Sequence, residues 1–99
     1  MLDVLPPPPT WIADPPQTMI ELRLPRSRLN VLCRLIGGDP GFQYRDLYGC
    51  SLWAIGGCLI VVPSVDAVIT AKTQADIRAH EVAHCNGWPG NHPLTLSPK

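Results

Sequence analysis

Residues 80–84 read His-Glu-Val-Ala-His, an HExxH sequence whose side chains could together hold a metal ion. On an α-helix, residues four apart lie on the same face, about one turn from each other. Two imidazoles at this spacing can bind one zinc ion, and a glutamate beside the first histidine can deprotonate a water that the zinc activates. The spacing therefore predicts a zinc site at His80 and His84, with Glu81 as the general base.

The residues around this motif predict the helix that it needs. Thr73, with Asp76 three residues later, resembles a capping box, so the helix should run from residue 74 to about residue 86. Gly87 is the expected C-terminal stop in the left-handed conformation, and Pro89 prevents the helix from continuing.

A catalytic zinc site usually needs a third protein ligand, and the sequence offers few. No Asp or Glu follows His84, and Cys85 lies about 100° away from it around the helix. His92, beyond the turn at Gly87, is therefore the expected third ligand, with Asn91 as a weaker alternative.

The run from His80 to Gly87 resembles the zincin metallopeptidases, especially the metzincin-like branch with HExxHxxGxxH. The resemblance covers roughly the last third of the chain and implies a zinc-dependent peptidase. It implies that His80 and His84 bind zinc, that Glu81 is the general base, and that Gly87 turns the chain towards the third ligand. The HExxHCNGW run is also similar to small uncharacterised bacterial and phage-type proteins, which indicates little about a substrate.

The sequence departs from the metzincin pattern in two places. The third histidine of that pattern would fall at Gly90, whereas this chain has its histidine two residues later, at His92. No methionine follows the helix, so the Met-turn of that branch is absent from the sequence.

The residues before the motif predict a small α+β domain. Residues 19–24 alternate as in a strand, and residues 28–36 have helical apolar spacing after a cap at Ser27. Residues 50–55 and 58–62 read as two strands of a hairpin, the second being the expected sheet edge beside the active helix. The expected architecture is a minimal zincin-like core, a small, mostly antiparallel sheet packed on two α-helices, the second carrying HExxH.

Residues 1–18 form a separate proline-rich segment, which we expect to be extended and similar to polyproline II. It could be a loose tail, or it could lie across the domain with Trp11 and Ile12 as apolar anchors. A latent form, with residues 6–16 across the site, is a further hypothesis. Residues 19–99 are then expected to be a single zincin-like domain.

Composition limits the partners and the compartment. The formal net charge is zero and no basic run exists, so neither nucleic acid nor an anionic membrane is expected as a partner. The expected partner is a peptide or protein substrate. No apolar stretch approaches the roughly 20 residues of a membrane span, and the first residues do not resemble a signal peptide, so a cytoplasmic location is expected. In that compartment the four cysteines should be buried thiols, with a Cys50–Cys58 disulfide as the alternative if the protein is exported.

Four further residues could assist the zinc site. Tyr44, Tyr48 or Arg78 could stabilise an oxyanion, and the sequence does not choose among them. Asp66 could accept a hydrogen bond from a ligand histidine, or it could be a solvated loop residue.

Two functions from different classes are consistent with these residues. The first is a zinc-dependent metallopeptidase, which Glu81 favours because a pure binding site would not require it. The second is a zinc-binding accessory or regulatory module with a zincin core and little or no hydrolysis, which the small size favours. A zinc ion of purely structural function and an exposed histidine pair without metal are the simpler alternatives.

Overall fold

The computed structural model describes residues 4–16, 18–37, 48–54 and 56–88. They form a short 3-10 helix (Pro9–Trp11), strand β1 (Met19–Leu24), helix α1 (Arg26–Gly37), strands β2 (Cys50–Ala54) and β3 (Gly57–Pro63), and helix α2 (Ala71–Cys85). The α+β class expected from the sequence is confirmed. None of the described helices is long and apolar enough to span a membrane.

The three strands form one mixed sheet in the order β1-β3-β2. Strand β3 pairs in parallel with β1 and antiparallel with β2, so the sheet is not mostly antiparallel. The prediction that residues 58–62 form the sheet edge is wrong, because β3 has a neighbour on each side. Its continuous apolar run is typical of such a central, doubly covered strand.

The two helices lie on opposite faces of this sheet. Leu59 and Val61 of β3 pack with Leu29 and Cys33 of α1. The alternate residues of β3, Cys58, Ile60 and Val62, pack instead with Ile77 and other apolar residues of α2. Because successive side chains of a strand point to opposite faces, the register of β3 decides which residues of its neighbours meet α2.

Helix α2 begins one turn earlier than the sequence predicts. The N-cap is Thr70, whose hydroxyl oxygen accepts the backbone N–H of Thr73 at 3.1 Å. Thr73 therefore lies inside the first turn, and the prediction that it caps the helix is wrong. A threonine stands at both position 70 and position 73, so residue type alone did not separate the two candidate caps.

All four cysteines are paired, in the disulfides Cys33–Cys50 and Cys58–Cys85. The expectation of buried thiols is therefore wrong, and so is the alternative pair Cys50–Cys58. Cys50 lies opposite Val61 in the sheet and points to α1, whereas Cys58 points to α2. A bond between Cys50 and Cys58 would have to pass through the sheet, so each cysteine instead pairs with the helix that it faces.

Candidate metal centre

The HExxH residues occupy the last two turns of α2, and the turn after the helix brings the chain back over them. Gly87 has φ 111°, which confirms the left-handed stop expected from the sequence. The N–H of Gly87 donates to the carbonyl of His84 at 3.0 Å, and the N–H of Trp88 donates to that of Ala83 at 3.0 Å. This pair of bonds is a Schellman motif, and it returns Trp88 to the face of α2 that carries the histidines.

The two histidines face each other through Nε2. The His80 and His84 Nε2 atoms lie 3.1 Å apart. The Nδ1 of His80 lies 2.8 Å from the carbonyl oxygen of Leu5, and the Nδ1 of His84 lies 2.7 Å from that of Trp88. Since a carbonyl oxygen can only accept, each Nδ1 carries a proton, and a neutral ring then has its lone pair on Nε2.

The separation of the two Nε2 atoms fits a pair of zinc ligands. Zinc–nitrogen bonds of about 2.0–2.1 Å at a tetrahedral angle place two nitrogens roughly 3.3–3.4 Å apart. The observed 3.1 Å is only slightly shorter. Two lone pairs at this distance repel each other, and a proton or a metal cation between the two nitrogens would remove that repulsion.

Trp88 contacts both imidazoles with its ring. It stacks on His84 with the ring centroids 4.9 Å apart and the planes 13° from parallel. It meets the ring of His80 edge-on, at 4.7 Å and 63°. Burial lowers the pKa of His84, and the hydrogen bond to the Trp88 carbonyl offsets part of that effect. A lowered pKa favours the neutral imidazole, which is the form that binds metals.

The other two tryptophans of the chain contact the same turn. The indole N–H of Trp53, in β2, donates to the carbonyl oxygen of His84 at 3.2 Å. The ring of Trp11 lies beside Gly87, where a Cβ would stand 3.2 Å from Trp11 Cζ3. The turn at residues 84–88 is therefore contacted by tryptophan side chains from two other segments of the chain.

Glu81 is enclosed between α2 and β2, with 4% of its surface exposed. Burial raises the pKa of Glu81 to about 8, and a hydrogen bond from the Ser51 hydroxyl opposes the shift. Ser51 points to α2 because it lies opposite Ile60 in the sheet. Gly49 leaves room for the carboxylate, since a Cβ at that position would lie 3.0 Å from Glu81 Oε2.

The structure gives the assisting residues other contacts. The carboxylate of Asp66 accepts the N–H groups of Ile69 and Val68, which lower its pKa, and it lies 3.4 Å from Arg26. The acceptor role expected of Asp66 falls instead to the Leu5 and Trp88 carbonyls. Asp66 is therefore an exposed loop residue, which is the alternative expectation.

Two of the oxyanion candidates lie in the described part of the chain. Arg78 pairs with Glu21 of β1 at 2.5 Å, so its guanidinium is directed to the opposite edge of the sheet from β2. Tyr48 packs against the apolar cluster between the sheet and α2, and its ring centroid lies 5.9 Å from the guanidinium carbon of Arg26.

Tyr44, Asn91 and the expected third ligand His92 lie outside the described residues. Within the residues that the structure describes, no group of three His, Cys, Asp or Glu side chains could hold a metal ion. The described part of the site is therefore the histidine pair with Glu81, and a third ligand at His92 stays a prediction.

Sequence reasoning missed Ser51, Gly49 and the Leu5 carbonyl. The alternation of residues 50–54 could have placed Ser51 and Trp53 on one face, but it could not show that this face meets α2. The carbonyl of Leu5 has no signal in the sequence, because every residue carries a backbone acceptor.

A scan against protein-family models, a search of curated proteins and a search of solved structures each found no match to this chain.

Proposed function

We propose that this protein is a zinc-dependent metallopeptidase in which His80 and His84 hold the metal and Glu81 is the general base. The observation that carries the proposal is the pair of Nε2 atoms 3.1 Å apart, each on a ring whose Nδ1 is bound to a backbone carbonyl. Metal-binding histidines have this second hydrogen bond almost always, because it fixes the ring and the tautomer. His92 is the proposed third ligand.

Bound zinc would polarise a peptide carbonyl and lower the pKa of a water molecule towards neutrality. Glu81 supplies the proton transfers: its carboxylate takes the proton of the attacking water and gives it to the leaving amine. Around the helix Glu81 lies about 60° from His84, so both side chains can serve one site. The Ser51 hydroxyl orients the carboxylate, and a nearby cation would bring the raised pKa of Glu81 back down.

The proposed substrate is an extended peptide or protein segment. Strand β2 has one partner, β3, among the described residues, and it carries Ser51 and Trp53 on the side of α2. An extended peptide can add to such a strand through backbone hydrogen bonds. The zero net charge supports neither nucleic acid nor a membrane as a partner. Tyr48 and Tyr44 remain the proposed oxyanion donors.

A zinc-binding accessory or regulatory module is the second candidate. The favouring observation is the enclosure of Glu81, whose carboxyl group is almost fully buried and hydrogen-bonded to Ser51. A carboxyl group held in this way could serve to stabilise the domain without taking part in hydrolysis.

The two disulfides bear on the cellular compartment in which we propose that the protein works. The cytoplasmic location expected from the sequence stays a prediction, and the two disulfides count against it because structural disulfides persist mainly in oxidising compartments. We propose that the protein works where these bonds are maintained.

Two substitutions separate the two functions. We expect about one zinc per chain by elemental analysis, a sharp loss of zinc in His84→Ala, and full zinc content in Glu81→Gln. A proteome-wide cleavage screen should show peptide products with the wild type and none with Glu81→Gln.

Asp76→Asn is the matched control, because it removes a carboxylate of the same helix that forms a surface ion pair with Lys72. This variant should keep both zinc and cleavage. Zinc binding without cleavage in the wild type would favour the accessory module, and a wild type that neither contains nor takes up zinc would contradict both.

A further inference from the structure

We propose that the proline-rich segment from Val4 to Asp14 is a positioning element of the metal site, which holds His80 through the carbonyl of Leu5. The inference rests on the proposed function, since it assigns a role towards the metal to residues outside the motif. It also replaces the loose tail and the latent cover as interpretations of the segment.

The segment contacts α2 and the following turn at several points along its length. The side chain of Val4 packs against the apolar cluster between the sheet and α2. Leu5 follows with its carbonyl 2.8 Å from His80 Nδ1. Further on, the ring of Trp11 lies beside Gly87, and the side-chain amide of Asn86 reaches the carbonyls of Ala13 and Asp14 at 3.4 Å each.

The contact with His80 is on the nitrogen that does not face His84. Leu5 binds Nδ1, whereas Nε2 is directed to the Nε2 of His84. A cover that blocks the metal would compete for Nε2, but the Leu5 carbonyl instead holds the proton on Nδ1 and leaves the lone pair on Nε2. The segment therefore supports the metal-binding tautomer from behind the ring.

The two histidines are held by segments on opposite sides of the motif in the sequence. Trp88, four residues after His84, holds that ring by its carbonyl. Leu5, 75 residues before His80, does the same for the other ring. The proline-rich segment has few conformations to lose on docking, because proline fixes φ at the four consecutive positions 6–9.

Outer hydrogen-bond partners of metal-binding histidines typically contribute about 10- to 100-fold in metal affinity. Removal of the segment should weaken zinc binding by a factor in this range. By linkage, bound zinc should strengthen the docking of the segment by the same factor.

The test uses a folded protein that is cut afterwards. A protease site is inserted between Asp14 and Pro15, both exposed, and the chain is folded and oxidised before cleavage. The disulfides Cys33–Cys50 and Cys58–Cys85 then keep the sheet attached to both helices after residues 1–14 have been removed. Zinc affinity is measured by competition with a chelator before cleavage, after removal, and after addition of a synthetic peptide of residues 1–14.

We expect a loss of about 10- to 100-fold on removal and recovery with the natural peptide. A peptide with a thioamide in place of the Leu5 carbonyl changes one atom to a weaker acceptor, and it should dock but restore less zinc affinity. In the zinc-free protein, ring nitrogen shifts should show the His80 proton on Nδ1 before cleavage and a shift towards Nε2 after removal.

Three other results would overturn part or all of this inference. Equal zinc affinity before and after removal would overturn this inference and leave the proposed zinc site intact. Full recovery with a docked thioamide peptide would overturn the role of the Leu5 carbonyl. An uncut protein without zinc affinity would overturn the proposed function and this inference together.

Discussion

The Nε2 atoms of His80 and His84 lie 3.1 Å apart while both Nδ1 atoms are engaged by backbone carbonyls. The two rings therefore present their remaining nitrogens to a common point. The turn at Gly87 and the sheet behind α2 fix this relationship.

Gly87→Ala should lower both stability and zinc affinity. An L-residue in the left-handed region costs about 1–2 kcal/mol, and the new Cβ would stand 3.2 Å from Trp11 Cζ3, so the turn that carries Trp88 must shift. Gly56→Ala is the matched control, because Gly56 has φ 92° but nothing within 4 Å of its Cβ position. Denaturant melts should show a loss in both variants, and zinc competition should show a loss only in Gly87→Ala; equal zinc affinities in the two variants would contradict the role of the turn.

In the zinc-free protein, the contribution of Glu81 to stability should fall as the pH rises from about 5 to 8. The folded state holds the proton of Glu81 up to a pKa of about 8, whereas the unfolded state releases it near 4.5. The stabilising contribution is therefore complete below the unfolded pKa and disappears as the pH rises through the folded pKa, a change on the order of a few kcal/mol. Urea melts in a chelator should show this slope for the wild type and a flatter one for Glu81→Gln; identical slopes would mean that Glu81 is not buried.

Ser51→Ala should impair the general-base function of Glu81 while the protein keeps its zinc. The Ser51 hydroxyl donates to the carboxylate and opposes the rise of its pKa, so the variant should have a still higher pKa for Glu81. Loss of a buried hydrogen bond costs about 1–3 kcal/mol in stability. We expect the pH profile of cleavage to move to higher pH while the zinc content stays at that of the wild type. A pH profile that does not move would show that Ser51 does not influence the general base Glu81.

Removal of the Cys58–Cys85 disulfide should weaken zinc binding more than removal of Cys33–Cys50. Their sequence separations are 27 and 17, so loop entropy predicts similar losses of about 3–4 kcal/mol in stability. Cys85 directly follows His84 and ties this end of α2 to β3, whereas the other bond lies on the α1 face of the sheet. Double alanine variants of each pair should be compared by denaturant melts and by zinc competition. Equal losses of zinc affinity in the two variants would contradict the prediction.

Local features of the sequence correctly predicted the helix that carries the HExxH motif. Residues 80–84 lie in α2, and Gly87 has the positive φ that a chain reversal requires, because both follow from residues close in sequence. The α+β class also followed from apolar periodicity.

The features that the sequence did not predict depend on contacts between distant segments. The central place of β3 depends on its parallel pairing with β1, which a reading of neighbouring strands does not detect. The disulfide partners depend on which face of the sheet each cysteine points to, and the carbonyl that holds His80 comes from residue 5. The apolar run of β3 indicates burial on both faces but does not identify its parallel partner, and neither the disulfide partners nor the Leu5 carbonyl has a signature in residue type or spacing.

The gathering of Trp11, Trp53 and Trp88 around the turn at residues 84–88 has a practical consequence. These are all the tryptophans of the chain, so its tryptophan fluorescence arises entirely at the candidate metal centre. Emission and quenching will then report on the arrival of a metal, the release of the proline-rich segment and the opening of the turn, without an added dye.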